Sequence, residues 1–176
     1  MPTPGFRILG IDPGLNITGY AVLEATEQSP RIIEAGVIRG TAKTSLTARV
    51  LEIYDGLRDV ISSLKPGALA LEQLYSHYDR PRTAILMGHA RGVICLAGAQ
   101  ADIPVVHYAA TQVKKLLTGN GRAPKEQMQW AVQRELSLAA PPEPPDVADA
   151  LAIALCHYHL GGRADTLQEM SEDPNE

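Results

Sequence analysis

Ile8-Leu9-Gly10-Ile11-Asp12-Pro13-Gly14 is the stretch whose reading decides the fold. An apolar run carries one aspartate and stops at Pro-Gly, so it reads as a buried strand with Asp12 at its mouth. A carboxylate there is costly unless it is paired, solvated or bound to a cation. Pro13-Gly14 ends the strand and is expected to leave room beside Asp12.

Working outward, residues 7–12 form the first strand, 17–25 a second and 31–39 a third, joined by connections short enough for an antiparallel meander. Leu46, Val50, Ile53, Leu57, Val60, Ile61 and Leu64 then recur at helical spacing. Thr44 or Ser45 can cap that helix, and Lys65-Pro66-Gly67 stops it. Ala68 to Glu72 is a short strand that ends, like the first, in an acid. A loop over 73–80, a helix over 81–101, a strand over 105–108 and helices over 110–117, 125–138 and 146–160 complete the order. Strand–helix–strand alternation after a meander predicts an α/β protein with a mixed five-stranded sheet, three antiparallel strands then parallel additions, flanked by helices.

The 176 residues suffice for one domain, taken as 1–161, with 162–176 an acidic tail expected to be disordered. Net charge is −4. The tail has one base and five acids, which leaves 15 of each sign in residues 1–161. Between Ser76 and Glu126 seven bases face three acids, so the centre is locally basic and permits phosphate binding. Cys95 and Cys156 form no close-spaced pair, and no secretory signal or membrane-length apolar run is present, which points to a reducing, cytoplasmic setting.

Acids occupy special positions on three elements: Asp12 and Glu72 at strand ends, and Asp146 with Asp149 at the start of the last helix. The last two are i and i+3 and share a face. The aspartates have plainer readings, whereas Glu72 at a strand end gains little locally. Asp before Pro-Gly is a common turn former, and Asp146 can serve only as a helix cap. As a set they point to divalent metal, because clustered carboxylates repel and raise each other's pKa. All-oxygen ligands favour Mg²⁺ or Mn²⁺, and a pair of such ions suits phosphodiester hydrolysis.

Gly10-Ile11-Asp12-Pro13-Gly14, Thr18-Gly19-Tyr20, Leu71-Glu72-Gln73, Gly88-His89-Ala90-Arg91-Gly92 and Asp146-Val147-Ala148-Asp149-Ala150-Leu151 together resemble the RuvC family of Holliday junction resolvases, in that family's order from about Arg7 to His159. The resemblance implies an RNase H-like fold and a homodimer. It further implies a structure-selective endonuclease that cuts opposed strands of four-way DNA junctions in homologous recombination and DNA repair, leaving 5′-phosphate and 3′-hydroxyl ends. It implies that Asp12, Glu72, Asp146 and Asp149 hold two Mg²⁺ ions, with Mn²⁺ as a substitute. RuvA and RuvB, which migrate junctions, are the implied protein partners.

By the same resemblance Tyr75 stacks on a base at the junction centre, and Lys114 and Lys125 act in catalysis by holding the scissile phosphate. Lys115, Arg122 and Arg80 are further candidates for DNA contact, with Arg82 beside them. A solvated basic face is the alternative for these bases, and rim packing the alternative for Tyr75. Gly88 and Gly92, with Ala84, Ala90 and Ala97, give one helix a small-residue face, for a dimer or for its own sheet. His157 and His159 read as partners of a helix C-terminus, and the cysteines as core. An actin-like ATPase also opens on a strand-end Asp-x-Gly, but it needs two related domains and a second phosphate loop. A non-catalytic junction binder has no use for four acids facing phosphates.

Overall fold

A computed structural model of the chain describes residues 2–41, 43–73 and 81–168. β1 (Arg7–Asp12) pairs antiparallel with β2 (Ile17–Glu24), which pairs antiparallel with β3 (Arg31–Arg39). Helix α1 (Leu46–Leu64) crosses to β4 (Ala68–Glu72), parallel to β1, and α2 (Pro81–Gln100) crosses to β5 (Val105–Tyr108), parallel to β4. Sheet order is β3-β2-β1-β4-β5. Then follow α3 (Ala110–Thr118), α4 (Lys125–Glu135) and α5 (Pro145–Gln168). This is the mixed sheet expected from the strand order.

The two faces of the sheet are sorted by the period of two along each strand. Ile8, Ala21, Leu23 and Ala70 join the core under α5, whereas Leu9, Ile11, Val22, Leu69 and Leu71 join the core under α1 and α2. Helix α5 is buried nearly all round from Val147 to Cys156, as befits a helix apolar on every side. It sits so close to the sheet that a Cβ on Gly10 would overlap the Ala150 carbonyl and Ala154, and one on Gly19 the Asp146 carbonyl.

Local signals account for most boundaries. Ser45, rather than Thr44, caps α1 by accepting from Ala48 N, and Lys65 ends that helix in the left-handed region at φ 48°. Thr44 instead donates to the Thr41 carbonyl. α4 stops at Glu135, short of the expected 138, because Ser137 turns left-handed at φ 51°. α5 runs to Gln168, well past the expected end near 160. Gly161 would terminate a helix only by turning left-handed, and among the described glycines only Gly5 and Gly119 do so. The helix therefore enters the stretch assigned to the tail, and residues 169–176 lie outside those described.

The small residues of α2 divide by role. A Cβ on Gly98 would stand 2.7 Å from Val105, so that glycine permits packing on the sheet, whereas among the described residues nothing lies near Gly88 or Gly92. No helix among the described residues is long and apolar enough to cross a membrane.

Candidate active site

Strand parity places the first two acids. Asp12 follows Gly10 by two, and Glu72 follows Ala70 by two, so both carboxylates belong to the sheet face that α5 covers. β1 and β4 are parallel neighbours with Ile11 opposite Leu71, which brings Asp12 and Glu72 out at the same edge. The missing side chain of Gly19, the β2 partner of Asp12, lets the first turn of α5 descend onto that edge with Asp146 and Asp149.

The electrostatics record how closely the four acids gather. Burial pushes the Asp12 carboxyl up to about 7, and Asp149, Glu72 and Asp146 push it in the same direction, with Lys125 opposing. Glu72 is raised as well, by burial and then Asp149, against the pull of Lys114 and Arg91. Lys125 Nζ donates to Asp149 Oδ2 at 3.1 Å. Glu72, Lys114 and Asp149 line one cleft of about 350 Å³ whose wall includes Val113, Met128 and Ile153. Among the described residues no three His, Cys, Asp or Glu side chains close into a ready metal cage. The acids stand at electrostatic range, and Asp149 is turned to Lys125. Their chemistry nonetheless fits a hard divalent cation, since all donors are oxygen and the buried, mutually repelling carboxylates have a charge deficit such an ion reverses.

Other candidates are placed as follows. Lys115 and Arg122 are exposed on α3 and on the loop after it, where Asn120 Oδ1 accepts from Arg122 N. Tyr75 and Arg80 lie outside the described residues. Pro13-Gly14 has a tighter reason than room for a ligand: a Cβ on Gly14 would collide with the Ile17 carbonyl, and Thr18 Oγ1 donates to the Gly14 carbonyl at 2.7 Å. His157 and His159 are not at a helix end, because α5 continues past them. His157 is buried against the Tyr108 hydroxyl at 2.9 Å, and His159 meets Glu135 at 2.9 Å.

The sequence reading left two pairs near the edge without a role. Arg91, quoted above only as part of a motif, reaches His107 Nδ1 at 3.0 Å beside Glu72. Arginine has no acceptor, so His107 accepts at Nδ1 and is the neutral Nε2–H tautomer. Burial and Arg91 both lower its pKa, in keeping with that state. Arg49 Nη1 donates to Asn16 Oδ1 at 2.8 Å, four residues past Asp12. These pairs bridge separate elements, so no local pattern announces them.

Comparison with known proteins identifies the family. Residues 8–157 match the family model described as crossover junction endodeoxyribonuclease RuvC. A protein of that description from Rhodopirellula baltica is 59% identical over 155 residues, 87% of this chain and 86% of its own. One from Desulforamulus reducens is 45% identical over 160 residues, 89% of this chain and 98% of its own. Thermus thermophilus RuvC superposes with a TM-score of 0.81 at 32% identity, over 89% of this chain and 96% of that one. The same protein in complex with a Holliday junction substrate gives 0.83 at 32% identity, covering 90% and 98%. With the family matched over nearly the whole sheet and α5, the chain belongs to the RuvC family of crossover junction endodeoxyribonucleases.

Proposed function

We propose that the chain resolves four-way DNA junctions, in recombination and repair, by hydrolysing phosphodiesters with divalent metal held at the sheet edge. The observation that carries this is the convergence of Asp12, Glu72, Asp146 and Asp149 on one edge, with Lys114 and Lys125 beside them. Asp12, on the central strand and flanked by the other three acids, would be the central ligand. Glu72 and the Asp146–Asp149 pair would complete the set on either side. Two Mg²⁺ ions, or Mn²⁺ in their place, would supply an activated water and stabilise the leaving oxygen. Lys125 releases Asp149 when its ammonium turns to the scissile phosphate, and Lys114 offsets the charge that develops there. The apolar wall of Val113, Met128 and Ile153 thins the water around the reacting group and strengthens both contacts. Tyr75 would stack on a base at the junction centre, and Lys115, Arg122 and Arg80 would hold the backbone.

A homodimer suits this substrate, because a two-fold junction needs two equivalent sites for paired nicks. The exposed face of α2 supports it: Ile85 is 63% and Leu96 51% exposed, the open Gly88 and Gly92 lie between them, and Leu51 of the neighbouring α1 is 56% exposed. RuvA and RuvB would deliver the junction.

The test is a synthetic four-way junction with Mg²⁺. Paired, ligatable nicks on opposed strands are expected, with none in EDTA. Binding without cleavage would refute the nuclease reading, and cleavage that survives Asp12→Asn would refute the site.

A further inference from the structure

The four acids lie in the middle of the sheet edge, and a DNA strand crossing that edge meets strong repulsion at its centre. On the β5 side Lys114, Lys115, Arg122 and Lys125 compensate. We propose that Arg39, Lys43 and Arg49 form a second phosphate-binding rail on the β3 side, so that junction DNA is held on both flanks of the acids. The inference rests on the resolvase reading and extends its substrate contacts.

Topology places the rail. Ile17 pairs with Arg39 and Asp12 with Gly19, so β3 ends at the edge where β1 ends, two strands across. Two strand spacings and two residue rises put Arg39 about 12 Å from Asp12. Along the axis of B-form DNA that is roughly three to four base-pair rises. Arg39 and Lys43 are exposed. Among the described residues neither forms an ion pair, whereas Arg7 and Arg31 share Glu24 and Arg58 meets Asp55. Glu52 on α1 is occupied by Thr41, whose N and Oγ1 donate to it at 2.6 and 2.7 Å.

Arg49 ties this flank to the catalytic edge. Its Nη1 donates to Asn16 Oδ1, and its Nε is buried with no hydrogen-bond partner among the described residues. The Asn16 carbonyl accepts from Gly40 N at 2.9 Å, which ties the loop after Asp12 to the loop after β3. With Oδ1 taken by a donor-only group, the exposed Asn16 amide has two N–H donors left for another acceptor. The first turn of α1 carries no acidic side chain to offset the positive end of its dipole, which adds to the potential there.

The full-length protein with Arg39→Gln and Lys43→Gln tests this, leaving Arg49 in place because it holds Asn16. The dissociation constant for a labelled four-way junction is measured in EDTA across a salt series. Wild type is expected to show a steep logarithmic slope, and the double variant a slope smaller by about 2 with at least tenfold weaker binding at moderate salt. The Arg39→Lys, Lys43→Arg variant is expected to restore both, which separates lost charge from lost folding. An unchanged slope and affinity in the double variant, while Lys114→Gln, Lys125→Gln lowers both, would overturn the rail and leave the resolvase reading intact. Failure of the wild-type protein to bind the junction would overturn both. Failure of the charge-conserving variant to restore binding would overturn the phosphate contact.

Discussion

At the scale of the residue, Asp12 concentrates the physics of the site. Its folded pKa of about 7 stands above the ordinary value of 3.8, so the folded state holds its proton more tightly than the unfolded chain. Such a group contributes stability that is complete below about pH 4 and lost as pH rises through 7. Asp12→Asn removes that loss. In EDTA the variant should melt about 2–4 °C above wild type at pH 8, a difference of order 1 kcal/mol after allowing for solvent at the mouth, and the gap should close toward pH 4. Equal melting temperatures across that range would contradict the burial and repulsion assigned to Asp12. Mg²⁺ should raise the wild-type melting temperature and leave that of the variant nearly unmoved, since only a competent acid set binds it. Lys125→Ala should lower single-turnover cleavage by about 10²–10³-fold, the size of losing one oriented donor at a developing charge, while junction affinity falls far less. The sequence displayed each of these residues at an element end. That Lys125 meets Asp149 it could not display, because they lie 24 positions apart on helices whose packing decides the pair.

At the scale of the element, α5 against the sheet is the decisive contact, and two glycines make it possible. Gly10 faces Ala150 and Ala154, and Gly19 faces the start of α5. Gly10→Val should force α5 outward and cost about 1–3 kcal/mol by overpacking. Cleavage should fall by more than that loss of folded protein explains, because Asp146 and Asp149 ride on the displaced helix. Native-like circular dichroism with lost cleavage is the expected outcome; full activity would show that α5 does not set the site. Sequence periodicity found every strand and helix, because apolar spacing and Pro or Gly stops act locally. It missed where α5 ends, because Gly161 breaks a helix only in a conformation that the surrounding packing does not impose here.

At the scale of the whole molecule, charge and apolar exposure are arranged around the acid edge. In a chain of net charge −4, Lys114 and Lys125 stand beside the acids, and among the described residues Ile85 and Leu96 of α2 are exposed and nothing packs on Gly88 or Gly92. Ile85→Glu with Leu96→Glu should convert a dimer to a monomer in light scattering, without lowering the stability of a dilute sample by more than about 1 kcal/mol, as for surface changes. Junction products should shift from paired cuts to single nicks. A variant that stays dimeric would place the interface elsewhere.

The sequence by itself determined the elements, the acids that end them and the family pattern, because hydrophobic period, turn residues and motif order are properties of neighbours along the chain. Strand parity even placed Asp12 and Glu72 on a common face once their strands are adjacent. Only the tertiary structure decided that adjacency, through the order β3-β2-β1-β4-β5. It also decided the descent of α5 onto Gly10 and Gly19 and the Lys125–Asp149, Arg91–His107 and Arg49–Asn16 pairs. Those are contacts between distant segments, and their energies depend on burial and distance, which no local pattern encodes.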